Sequence, residues 1–185
     1  MISVIAVLLR LFLLQFVYGA SDQSVRYDRN VNLFSSNGEL QQVQYARKAG
    51  LKGSPVLCSV ATNNEVVVCI PVKSSLHILQ DGTFVDKLTK ICDGIWITFS
   101  GLAGDGRALT KAARSFCLQY QAKFGSYPYV RSVAKYIGEI QHDCTLSGGS
   151  RPFGVQVILV GTEDPTGSLS IYNSEPSGMF YVYQI

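Results

Sequence analysis

Charge is scarce in this chain. Asp, Glu, Lys and Arg make up 16% of the 185 residues, and the formal net charge is only +3. So small an excess points to neither a nucleic-acid partner nor a membrane surface. Histidine is rarer still. His77 and His142 stand far apart, and no cysteine pair has ligand spacing, so no metal site is expected. The five cysteines, at 58, 69, 92, 117 and 144, are odd in number and scattered singly through apolar segments. That pattern reads as reduced core cysteines and not as a disulfide framework. The sequence has no P-loop, no G-x-S-x-G elbow, no zincin motif and no N-x-Ser/Thr acceptor. Gly101-Leu-Ala-Gly104-Asp-Gly106 is glycine-rich, but its spacing is that of a tight strand-to-helix turn and not of a dinucleotide loop. No cofactor is expected.

Apolar material, by contrast, is plentiful. At 47% hydrophobic, the chain is ordinary globular sequence, long enough for one sizeable core. Residues 1–20 form a hydrophobic leader, MISVIAVLLRLFLLQFVYGA, interrupted by Arg10 and Gln15. It reads as a signal peptide, an anchor or a mis-assigned start, although it lacks the usual basic n-region. The fold is therefore sought in residues 21–185. There, Ser35-Ser36-Asn37-Gly38 has turn chemistry, and Asn37 offers an N-cap to a helix running from Gly38 to Ala49. On that helix Leu40, Val43 and Ala46 make a narrow apolar stripe. Strands are expected at Val56–Ala61, Glu65–Ile70, Leu76–Leu79, Asp86–Ile91 and Ile95–Ser100. Two helices follow, Asp105–Phe124 and Tyr129–Cys144, and then strands at Val155–Gly161, Leu169–Tyr172 and Met179–Tyr183. Strands, two adjacent helices and strands again argue for a layered α+β domain and against βαβ winding.

The wording of residues 27–49 is more specific than its periodicity. Tyr27, Asp28, Arg29, Phe34, Ser35, Gly38, Leu40, Gln42, Val43, Tyr45, Ala46 and Ala49 fall at the spacing of YDR…FSPDGRLxQVEYAxEA. This resembles the N-terminal signature of proteasome α subunits. Ser36, Asn37, Glu39 and Gln44 depart from it, standing for proline, an acid, a basic residue and glutamate. Further family phrases follow in order: Ser100-Gly101-Leu102 with Asp105 and Arg107, then Arg151-Pro152-Phe153-Gly154, then Pro176-Ser177-Gly178. Gly104 and Gly106 replace alanines of the first phrase.

The resemblance implies an N-terminal-nucleophile-hydrolase-like, four-layer αββα sandwich, incomplete at the C-terminus because the last helices and strands of the family are lacking. It implies a non-catalytic α-ring subunit of the proteasome core particle, serving ring assembly, substrate gating and activator docking in ubiquitin-dependent protein breakdown. Catalysis would belong to the β subunits. Expected partners are other α subunits in a seven-membered ring, β subunits, and the C-termini of the regulatory particle or activators, with no nucleic acid. No membrane is expected unless the leader is retained. Tyr27, Asp28 and Arg29 would belong to the gate, held by the turn Ser35, Ser36, Asn37 and Gly38. Leu40, Val43, Tyr45 and Ala46 would form the ring interface. Lys87, with Lys90 as fallback, would pair with an activator carboxylate. The family's location is cytoplasm and nucleus, or the secretory pathway if the leader is a working signal peptide. Two alternatives remain: an N-terminal-nucleophile hydrolase using Ser54, for which Pro55 and the attached helix are obstacles, and a truncated secretory paralogue that does not assemble.

Overall fold

A computed structural model describes residues 30–61, 65–71 and 87–183. Its elements are α1 (Gln41–Leu51), β1 (Leu57–Ala61), β2 (Glu65–Cys69), β3 (Leu88–Cys92), β4 (Ile95–Gly101), α2 (Ala103–Phe124), α3 (Val130–Leu146), β5 (Val155–Thr162), β6 (Leu169–Ser174) and β7 (Phe180–Tyr183). Strands β3 to β7 form one five-stranded antiparallel sheet in chain order, and β1–β2 is a separate antiparallel hairpin.

Alternation along the central strands decides what covers each face. Ile95, Ile97 and Phe99 of β4 and Val155, Val157 and Leu159 of β5 are buried with Leu109, Ala113 and Cys117 of α2 and Val130, Val133, Ala134 and Ile137 of α3. The residues between them turn the other way. Gln156 and Ile158 share a cavity with Leu57 and Cys58 of β1, and Trp96 and Val160 share one with Val66 and Val68 of β2. The layering is thus helices, sheet, then hairpin. Among the described residues no helix covers the hairpin's outer face, where Leu57 is 71% and Val67 55% exposed.

Several expectations are corrected at their boundaries. The first helix starts at Gln41, not Gly38, and its N-cap position is Leu40, with no side-chain cap; Asn37 does not cap it. The reason is local. Ser35 N donates to Glu39 O at 2.8 Å, Gly38 N donates to Ser35 O at 2.9 Å, and Phe34 bridges Leu40. A small hairpin turn therefore uses residues 35–39 and leaves Leu40 extended before the helix can begin. The β3 strand is shifted to Leu88–Cys92, with a bulge between Lys90 and Cys92. The strand expected at Leu76–Leu79 lies outside the described residues, as do the leader and Asp86.

Candidate gate and ring-contact surface

The turn that would carry the gate is built as its composition suggests. Gly38 takes φ +75°, a conformation that glycine adopts without penalty. Ser35 Oγ accepts a hydrogen bond from Glu39 N at 3.2 Å. Ser36 and Asn37 are the two central, exposed residues. Just upstream, Val31 is buried, and Asn32 Nδ2 donates to Leu146 O at 2.8 Å. That bond satisfies one of the open carbonyls at the end of α3. It ties the segment leading to the turn onto the helical layer, a contact that no motif or period in the sequence signals. Tyr27, Asp28 and Arg29 lie outside the described residues.

Helix α1 lies on its own domain. Its buried residues are Ala46 and Gly50, one turn apart, and both are small enough for close approach to β4 and β5. A Cβ at Gly50 would already sit 3.2 Å from Gln156 Cγ. Ser100 Oγ donates to Gly50 O at 2.9 Å, which pins the end of α1 to β4. Beyond it, a Cβ at Gly53 would meet Gly101 N at 2.1 Å, so the backbone passes there with no room for a side chain. The expected interface stripe is thereby corrected at Ala46, which is only 8% exposed because the chain's own sheet covers it. Val43 is half-buried beside Arg47, Glu175, Pro176 and Tyr181, in a cavity of about 200 Å³. Leu40 is also half-buried. Apolar groups that do face outward on this segment include Leu33, Phe34, 65% exposed, Tyr45, 42% exposed, and Leu51 at the end of the helix. Leu33 and Phe34 were not singled out as contact residues, because they precede the helix and belong to no periodic stripe.

Ser54 follows directly on this junction. It is peptide-bonded to Gly53, with α1 clamped across β4 immediately before it. The adjoining cavity, of about 730 Å³, is lined by Leu51, Pro55, Cys58, Ser100, Gln156 and Asn173 among others, and among the described residues no carboxylate, lysine or histidine lines it. Burial pushes the Cys58 thiol in its wall up, away from the thiolate form.

Lys87 is half-buried immediately before β3. Lys90, the fallback, is engaged at the β3–β4 turn, where its Nζ donates to Asp93 Oδ1 at 2.6 Å. The two sequence phrases that open α2 and precede β5 meet in space. Arg151 donates twice to the Asp105 carboxylate, both bonds at 2.7 Å, and Gly154 N adds a third at 2.9 Å. The Arg151 guanidinium, helped by the Gly154 amide, holds the Asp105 carboxyl below its usual range. This clamp anchors the first turn of α2 to the strand that α1 also touches. Among the described residues no group of histidine, cysteine and carboxylate side chains could hold a metal ion, and no helix is long and apolar enough to cross a membrane.

A layered antiparallel domain, with a preceding helix bound against β4 and β5, defines the class: an N-terminal-nucleophile-hydrolase-like α+β sandwich. Comparison with known proteins makes it specific. The family described as "Proteasome subunit" matches residues 51–185, and the N-terminal signature of the A-type proteasome subunits matches residues 27–49. The chain belongs to the proteasome subunit family, α type. It is 37% identical over 158 residues to an alpha proteasome subunit of Aeropyrum pernix, covering 85% of this chain and 60% of that protein. It is 38% identical over 157 residues to the alpha type-7 proteasome subunit of Dictyostelium discoideum, covering 85% and 62%. With the alpha type-7-1B proteasome subunit of Drosophila melanogaster the identity is 36% over 159 residues, covering 86% and 62%. The matched region thus spans about three fifths of these relatives' own length.

Proposed function

We propose that the chain acts as a non-catalytic α-ring subunit of a proteasome core particle. One observation carries the reading: α1 is bolted across β4 and β5, so residue 54 stays inside the chain, while Phe34, Tyr45 and Leu33 remain outside as contact surface. Peptide hydrolysis then belongs to β subunits of the same particle, and the partners are neighbouring α subunits, the β ring and activator C-termini. The 35–38 turn holds the gate segment 27–29, and Lys87 receives an activator carboxylate. Cytoplasm and nucleus follow as the location. Residues 21–185 act as one domain behind the leader.

The interface reading is tested by Phe34→Asp and Tyr45→Asp in the full chain. Each would force an unpaired charge into a subunit contact, which costs several kcal/mol when buried. The expected result is loss of co-sedimentation with core particles while the circular dichroism of the isolated chain is unchanged. Normal incorporation of both variants would remove this face from the ring contact. The mature N-terminus, read by mass spectrometry, separates the alternatives: Ser54 for a self-processed hydrolase, Ala20 for a secretory product.

A further inference from the structure

Asn37 is the one asparagine of the chain that glycine follows. The structure sets it apart from the others as well. Asn37 and Gly38 are both exposed in their turn, and among the described residues no hydrogen bond engages the Asn37 side-chain amide. A side-chain carbon built on Gly38 would meet nothing within 4 Å, so open space surrounds its backbone. The Gly38 N–H makes a single bond, to Ser35 O at 2.9 Å, in a turn where water competes for the donor. Asn32 and Asn173 are placed differently. Asn32 Nδ2 is committed to Leu146 O at 2.8 Å, and bulky Leu33 follows it. Asn173 lies in β6 between Ile158 of β5 and Tyr181 of β7, so two ladders hold its backbone and that of Ser174.

We propose that Asn37 is a deamidation site, at which the turn converts itself to aspartate and isoaspartate. Glycine at 38 leaves the approach to Asn37 Cγ unhindered by a side chain, and its conformational freedom lets its nitrogen turn toward that carbon. The Gly38 nitrogen gives up its proton to solvent and attacks Cγ. A C–N bond forms, the Cγ–Nδ2 bond breaks, and the side-chain nitrogen takes up a proton to leave as ammonia. Water then opens the cyclic imide. Opening at Cγ returns an ordinary peptide bond with aspartate at 37. Opening at the backbone carbonyl leaves isoaspartate, whose main chain runs through Cβ and Cγ. No electrons are transferred, and water is the only co-reactant. Both products place a negative charge at position 37, where the family phrase carries an acid. Aspartate restores that phrase. Isoaspartate adds a main-chain atom inside the loop that the bond from Ser35 N to Glu39 O closes, so this product reshapes the turn. The chemistry needs no assembled particle, and it stands apart from the α-ring reading.

The test is a peptide map of the full chain incubated at mildly alkaline pH, with the urea-unfolded chain incubated in parallel. Electron-transfer fragmentation distinguishes aspartate from isoaspartate. In the native chain the peptide carrying residue 37 should acquire both products before those carrying Asn32 or Asn173 change. Gly38→Ala should slow the conversion in the unfolded chain too, so that comparison needs no variant to fold. An Asn37 amide that survives in the native chain as long as that of Asn173 would overturn the proposal, and its loss from the unfolded chain alone would show that the turn protects it.

Discussion

A side-chain carbon at position 106 would sit 2.4 Å from the Phe99 ring, whereas at position 104 nothing lies within 4 Å. Both glycines stand where the family phrase has alanine, yet only one is required by its surroundings. Gly106→Ala should push the ring off its rotamer, at about 1–3 kcal/mol for overpacking, offset in part by about 1 kcal/mol of helix propensity. Gly104→Ala gains propensity alone, up to ~1 kcal/mol and less so near the helix start. Urea midpoints should therefore move in opposite directions. Asp105 gives a second prediction at this scale. Its native carboxyl is held below the ordinary value of 3.8, so the native state binds that proton later than the unfolded chain does. The clamp's stabilisation is complete above that ordinary value and is lost as pH falls through the lower native one. The stability difference between the chain and its Asp105→Asn variant should shrink as pH is lowered below ~3.8. A difference independent of pH in that range would mean that the carboxylate charge contributes nothing.

The elements most readily read from sequence were the two long helices. They were expected at Asp105–Phe124 and Tyr129–Cys144 and are found at Ala103–Phe124 and Val130–Leu146, with Leu109, Ala113, Cys117, Val130, Val133, Ala134 and Ile137 buried, whereas Phe124 at the end of the first is 65% exposed. Their apolar spacing suffices because a single face meets a single sheet. The start of α1 was not legible. Asn37 has the composition of a cap, but the bonds between Ser35, Gly38 and Glu39 commit it to a turn first, and composition cannot rank the two uses. The Asp105–Arg151–Gly154 clamp was likewise hidden, because its partners lie 46 and 49 residues apart and neither follows from a period. The turn itself supports a prediction. With Gly38 N bonded to Ser35 O, Ser36 occupies the second turn position, where proline is favoured. Ser36→Pro should stabilise the turn by about 0.4–1 kcal/mol by narrowing the unfolded ensemble. In an assembled particle that should alter basal peptide hydrolysis more than incorporation. Unchanged basal and activator-stimulated rates would separate this turn from gating.

At the scale of the whole molecule, the helical layer and the five-stranded sheet agree with the layered architecture expected from strand and helix order. Among the described residues the hairpin layer has two strands against the sheet's five. Its outward Leu57 and Val67 could not be told from core residues by their β-branched or apolar character, since both faces of this hairpin carry such residues. The same limit explains why Ala46 was expected at a ring interface. An apolar stripe says that a face is covered, not by whom; here the chain's own sheet covers it. Phe34 and Tyr45 remain outward, and α1 is held against β4 and β5; the proposed assembling, non-catalytic role rests on these two features. The most direct measurement is native electrophoresis of particles from cells expressing the tagged full chain with and without Ser54→Ala, overlaid with a fluorogenic peptide. The expected result is that the tag migrates with the core particle and that hydrolysis in that band is the same for both. A tag that stays at monomer size, or hydrolysis that follows the tag and disappears with Ser54→Ala, would contradict the assignment.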